Sequence, residues 1–225
     1  MRVSVEMYES RHARIIMYKM QHVVGIDEAG RGPLAGPVAV GAVSISSSSN
    51  PASLKLRGAS KNFFKGIKDS KQLSAEDREL WFSLATEARR KGDLDFCVSL
   101  VSERVIDKHG ITYAIRLGIK RCLAQLGLTP DSQIFLDGSL KAPKQFIHQL
   151  TVIKGDEKIP IISLASICAK VIRDRRMVRL SKKFPEFDFH IHKGYGTSLH
   201  RRALEKYGST AIHRQSFITR LTKSR

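Results

Sequence analysis

Cysteine is scarce in this chain, and long apolar runs are missing. Three cysteines occur in 225 residues: Cys97, Cys122 and Cys168. They are odd in number, far apart and without CxxC spacing, which excludes a disulfide-stapled scaffold. Each sits in an apolar helical or strand pattern and reads as a buried thiol in a reducing compartment. No stretch approaches the roughly 20 apolar residues of a membrane span, and the first 22 residues lack the apolar core of a signal peptide. A soluble, unsecreted, cytoplasmic protein with no membrane partner is expected.

Acid is the other shortage. The chain has 39 Lys+Arg against 21 Asp+Glu, a net charge of +18. From Ala165 to Arg225 there are 15 basic and 4 acidic residues, an excess of 11. Charge concentrated in this way attracts polyanions, nucleic acid first and an anionic membrane surface second. With 42% apolar and 27% charged residues the composition is that of an ordinary folded domain. The length suits one main domain.

Short apolar runs alternate with helical patterns. VVGID (23 to 27) and VAVGAVSI (38 to 45) read as adjacent strands, and DFCVSLV (95 to 101), IFLDG (134 to 138) and LTVIKGD (150 to 156) as three more. Ser74 with Asp77 opens a helix that Gly92 stops, with Leu80, Trp81, Leu84 and Ala88 on one face. Ile111, Ile115, Ile119, Cys122 and Leu126 mark a second helix, ended by Gly127 and Pro130. A third begins at Pro160, with Leu164, Ile167, Cys168, Val171 and Val178 inward and Lys170, Arg173, Arg175, Arg176 and Arg179 outward or sideways. Strands interleaved with long helices mean a layered α/β fold. Three regions are expected: an extension over 1–21, a main domain over 22–183 and a basic helical region over 184–225. The Ser-rich stretch from Ser46 reads as a surface loop.

Three apolar strands end in carboxylates: Asp27 with Glu28, Asp137, and Asp156. Strand ends in an α/β sheet converge on one rim, so acids far apart in sequence can meet there. Brought together they repel unless a cation neutralises them. Carboxylates without His or Cys are hard oxygen ligands that select Mg²⁺ or Mn²⁺, and about four of them can hold two ions for in-line displacement at phosphorus. Adjacent strand residues face opposite sides, so Asp27 and Glu28 share such a site only if the strand breaks there.

Gly30-Arg31-Gly32-Pro33 follows, where the glycines let backbone approach a ligand. Gly30, Gly32 and Ala35 also fit the dinucleotide-binding fingerprint, but that reading needs an acid about 20 residues on. No Asp or Glu occurs between Ala29 and Lys68.

GIDEAGRGPLAGPVAVGAV (25 to 43), KDSKQLS (68 to 74), FLDGS (135 to 139), IKGDEKIPIISLASICAKVIRDR (153 to 175), HKGYGT (192 to 197) and HRQSF (213 to 217) resemble, in this order, the signature blocks of ribonuclease HII. The resemblance runs from about Val23 to Phe217. The loop from Ser46 to Asn62 is longer than the family usually carries, and Met17 or Met20 offers an alternative start.

The resemblance implies a ribonuclease-H-like mixed sheet flanked by helices, with a small C-terminal helical part. It implies an endonuclease that cuts the RNA strand of RNA–DNA hybrids and incises duplex DNA 5′ of embedded ribonucleotides, using two divalent cations, Mg²⁺ or Mn²⁺, and leaving 3′-hydroxyl and 5′-phosphate ends. Asp27, Glu28, Asp137 and Asp156 match the family's catalytic metal-binding carboxylates. Gly30, Arg31 and Gly32 match the motif that contacts 2′-hydroxyls, and Tyr195 the tyrosine at the RNA-to-DNA step. Lys71 is expected at a phosphate, while Asp69 and Ser70 either join it or shape the helix entry. Ser166 and Lys170 are substrate contacts or helix packing. Asp174 is expected in a local ion pair and His192 as a loop residue. A monomer with a role in ribonucleotide removal during DNA replication and repair is expected. A DNA-cutting nuclease of the same fold, or a non-catalytic nucleic-acid binder, remains the alternative.

Overall fold

In the computed structural model, residues 22–46 and 63–223 are described. The expected extension over 1–21, with its alternative starts, and nearly all of the Ser46 to Asn62 loop lie outside the described residues. Strand β1 (His22–Ala29) pairs antiparallel with β2 (Val38–Ser46), which pairs antiparallel with β3 (Asp95–Val101). On its other side β1 runs parallel to β4 (Gln133–Asp137), and β4 parallel to β5 (Gln149–Val152). The mixed sheet therefore has the order β3-β2-β1-β4-β5.

Strand alternation gives the sheet two apolar faces. Val24, Ile26, Ile134 and Leu136 bury one face against helices α2 (Glu103–His109) and α3 (Ile111–Gln125), through Ile106, Ile115 and Ile119. Val23, Val43, Ile45 and Phe135 bury the other. Helix α1 (Ala75–Lys91) covers that second face together with α5 (Pro160–Ser181), which follows the short α4 (Gly155–Lys158). Helix α5 lies unusually near the sheet. A Cβ on Gly25 would fall 2.5 Å from the Ile161 carbonyl, and one on Gly41 2.2 Å from the Ala165 carbonyl oxygen.

Helix α1 starts and stops where expected. The Ser74 hydroxyl accepts from the Asp77 amide at 3.0 Å, and Gly92 is left-handed with φ 78°. Its buried face is rotated from the expected one: Phe82, Ala85 and Ala88 are inside, while Leu80 and Leu84 are exposed. Phe82 decides the rotation by packing edge-on to Phe96 at 5.6 Å, with the Arg175 guanidinium 4.7 Å from its ring centroid. Helix α5 brings two further corrections. Val178, expected inside, is exposed, and Arg173, expected outward or sideways, is completely buried.

Beyond α5 come a 3₁₀ turn (Pro185–Phe187), α6 (Phe189–His192), α7 (Ser198–Tyr207) and α8 (Gln215–Lys223). Phe187, Phe189, Ala203 and Ile212 form a small core that also takes in Ala35, Met177 and Leu180. The chain after α5 thus packs against the Gly30 loop and the end of that helix.

Candidate active site

Ile26 and Leu136 are the last paired residues of the parallel β1–β4 ladder, so Asp27 and Asp137 stand side by side one step further on. Asp156 reaches them differently from the expectation. Strand β5 ends at Val152, and Asp156 sits in the first turn of α4. That turn is held against the strand by Asp137, whose Oδ1 accepts the amides of Gly155 at 2.7 Å and Asp156 at 3.4 Å. The Asp156 carbonyl accepts the Ser163 hydroxyl at 2.6 Å. Ligand oxygens of Asp27, Asp137 and Asp156 all lie within 4.8 Å of one another, the one such group among the described residues.

Glu28 is not part of that trio. Strand β1 continues unbroken to Ala29, yet the Glu28 carboxyl stays near enough to Asp27 and Asp137 to interact with both. Its Oε1 accepts from Arg31 at 3.1 Å, while Oε2 is buried with no hydrogen-bond partner among the described residues. Burial holds the Asp27 carboxyl well above the usual carboxylate range, with Glu28 and Asp137 adding repulsion. The Glu28 carboxyl is raised for the same first reason, against the pull of Arg31. Three crowded carboxylates and a buried orphan oxygen, all hard donors, fit divalent cations.

Around this centre, the Lys71 ammonium donates to Asp156 Oδ2 at 3.0 Å, and the Lys71 amide donates to Asp69 Oδ1 at 3.0 Å. The Ser70 and Ser166 hydroxyls are 2.9 Å apart, and Ser166 also contacts Asp27. The Lys170 ammonium is engaged by Asp174 at 2.9 Å, which gives Asp174 the expected ion pair. Tyr195 is 40% exposed, its ring centroid 5.8 Å from Lys170 Nζ and 5.7 Å from Arg173 Cζ.

Arg31 and Gly32 are exposed in a loop that closes on Gly194 through the bond from the Leu34 amide to the Gly194 carbonyl, 2.8 Å. Gly30 has φ +87°, and a Cβ there would fall 1.9 Å from Arg173 Nε. Around Gly32 there is open space. His192 is buried in a helical turn and not in an open loop. The Gly194 amide donates to its Nδ1, so its Nε2–H donates to Phe187 O at 2.6 Å. Its ring stacks on His200, and His200 Nε2 lies 3.0 Å from His213 Nε2.

The ribonuclease HII family model matches residues 24–220. This chain belongs to the ribonuclease HII family. A ribonuclease HII of Caldicellulosiruptor bescii is 38% identical over 95% of this chain and 94% of its own length. One from Synechococcus sp. is 40% identical over 88% and 95%. Among solved structures, ribonuclease H2 of Pyrococcus horikoshii is 30% identical with a TM-score of 0.63, covering 89% of this chain and 96% of that one. The Archaeoglobus fulgidus enzyme, solved with PCNA, is 28% identical with the same TM-score over 86% and 93%. As a ribonuclease HII, the protein is a metal-dependent endonuclease acting on the RNA of RNA–DNA hybrids. No helix among the described residues is long and apolar enough to cross a membrane.

Sequence reasoning about ribonuclease HII left two arginines without roles. Arg173 bonds the carbonyls of Pro37 at 2.9 Å and Ala35 at 3.3 Å. Arg214 bonds those of Gly36, Arg31 and Gly30 at 2.9, 2.9 and 2.7 Å. For Arg173 a signal existed: Ser166, Lys170, Arg173 and Met177 recur at helical spacing and share one stripe of α5. For Arg214 the signal was its place in the HRQSF block (213 to 217), which marks the position without revealing its burial.

Proposed function

We propose that this ribonuclease HII also incises duplex DNA 5′ of a single embedded ribonucleotide, leaving 3′-hydroxyl and 5′-phosphate ends, and so serves ribonucleotide removal in DNA replication and repair. The observation that carries the chemistry is the convergence of Asp27, Asp137 and Asp156 within 4.8 Å, with the orphan Glu28 oxygen beside Arg31. A pair of divalent cations held there, Mg²⁺ or Mn²⁺, would activate a water for attack on phosphorus and stabilise the departing 3′ oxygen.

The chain's own groups do the recognition. The exposed backbone of Arg31 and Gly32 meets the 2′-hydroxyl, the group that separates ribose from deoxyribose. The open space around Gly32 supports a close approach. The half-exposed Tyr195 ring packs on the deoxyribose across the step. Lys71 moves from Asp156 to a phosphate and Lys170 lines the same approach, while the buried Ser166 acts through its contacts with Ser70 and Asp27. Residues 22–183 carry the carboxylates, and the basic residues of 184–225 hold the duplex backbone in a monomeric enzyme.

The test uses labelled hybrid, duplex RNA, duplex DNA and duplex DNA with one ribonucleotide, with Mg²⁺ or Mn²⁺ added. Cleavage of the hybrid, and of the last substrate 5′ of the ribonucleotide, is expected. Cutting of all-DNA duplex at a comparable rate would overturn the ribose reading.

A further inference from the structure

Arg173 and Arg214 are both completely buried, yet among the described residues neither has a carboxylate within hydrogen-bond distance. The nearest acid to Arg173 is Asp174 at 4.0 Å, and Arg173 Nη1 has no partner. Two buried guanidiniums close enough to repel are a poor way to stabilise a core, where apolar side chains of similar volume do as well or better. Their donors go to one place. Together they bind the carbonyls of Gly30, Arg31, Ala35, Gly36 and Pro37, and the Arg214 amide donates to Leu34 O at 2.7 Å. Of the other loop amides, Leu34 and Gly36 donate to Gly194 and Ile212, and those of Gly30 and Ala35 belong to buried residues. Pro33 and Pro37 have none. The Arg31 and Gly32 amides, both on exposed residues, donate to nothing among the described residues. Arg173 also lies under the Tyr195 ring.

We infer that Arg173 and Arg214 are positioning residues for ribose recognition: by drawing the carbonyl side of the Gly30–Pro37 loop inward, they leave the Arg31 and Gly32 amides facing substrate at a fixed distance from Tyr195. The inference rests on the ribose reading proposed above. A lysine keeps the charge but cannot span three carbonyls as the Arg214 fork does.

The test compares wild type with Arg214→Lys and Arg173→Lys on duplex DNA carrying one ribonucleotide. Far-UV circular dichroism checks the fold, and calorimetry checks binding of Mn²⁺ alone. Both variants should fold and bind Mn²⁺ as wild type does, yet lose kcat on the order of tenfold to a hundredfold, the cost of a misplacement of about 1 Å. Methylguanidinium, but not ammonium at equal ionic strength, should restore part of the activity of Arg214→Ala. Wild-type kcat in both lysine variants would overturn the inference, as would an equal loss of Mn²⁺ binding. Failure of both to fold would overturn it too, because the pair would then be holding the core. If wild type itself spares the embedded ribonucleotide, the ribose reading fails instead.

Discussion

The Lys71 ammonium lies 3.0 Å from Asp156 Oδ2, so a cation of the chain's own already rests on a carboxylate offered to metal. The lysine side chain is 78% exposed, and such pairs add little stability. Lys71→Met should therefore leave the melting temperature almost unchanged and, without nucleic acid, bind Mn²⁺ more tightly, because the competing ammonium is gone. Calorimetric titration checks this. Weaker Mn²⁺ binding by the variant would mean that Lys71 supports the site and does not compete for it.

Asp137→Asn removes a ligand charge but keeps an oxygen that can accept the Gly155 amide. Cleavage of hybrid should fall by at least about a hundredfold, the scale of losing one electrostatic group at a reacting centre. Hybrid binding should persist, since the basic surface is untouched. Near-wild-type turnover with Mg²⁺ would remove Asp137 from the reaction.

The two glycines of the Gly30–Gly32 turn should separate stability from function. Gly30→Ala forces a left-handed alanine and a methyl 1.9 Å from Arg173 Nε, so it should cost more than about 1 kcal/mol in chemical denaturation. Gly32→Ala meets nothing and should unfold like wild type. It should nevertheless cut poorly at an embedded ribonucleotide, because the new methyl lies where substrate approaches.

Tyr195→Ala should fold normally, the ring being 40% exposed. On duplex DNA with one ribonucleotide its kcat/KM should fall by about 1–3 kcal/mol of lost stacking, by analogy with base–aromatic contacts. Equal activity of the two proteins on that substrate would sink the junction role of Tyr195.

Acid should weaken the fold through His200 and His213. The Thr210 amide donates to His213 Nδ1, so His213 Nε2–H donates to His200 Nε2, and His200 Nδ1–H donates to Tyr195 O. Both rings are therefore neutral. Burial pushes each from 6.5 down to about 4, with His192 adding repulsion to both and His200 to His213. Above pH 6.5 neither folded nor unfolded chain is protonated at these positions. Between 6.5 and about 4 only the unfolded chain takes up the protons, so stability falls as pH falls. Urea midpoints across that range check it, and the His200→Asn, His213→Asn double variant should flatten the decline.

Much of this was legible in the sequence. All five strands and the three long helices announced themselves through apolar period and caps, because those signals are local. The carboxylates were legible as strand ends, and Asp27 and Asp137 meet through an in-register parallel ladder. Asp156 was misplaced by a few residues because the helical turn of α4 is made by bonds to Asp137, a partner 19 residues away that no local pattern reveals. Arg173 was misread for a related reason. Hydropathy assigns arginine to solvent, and only the carbonyls of a distant loop make its burial tolerable.

The bond from Arg214 to Gly30 spans 184 positions of the chain. During synthesis the carboxylate-bearing sheet can assemble as soon as β4, β5 and α5 have emerged, but the Gly30 loop lacks three of its five guanidinium bonds until position 214 arrives. The carboxylate cluster and the full set of guanidinium bonds to the Gly30 loop are thus completed at different lengths of chain. A nascent chain could therefore gather the acids while the Gly30 loop still lacks the bonds that Arg214 supplies.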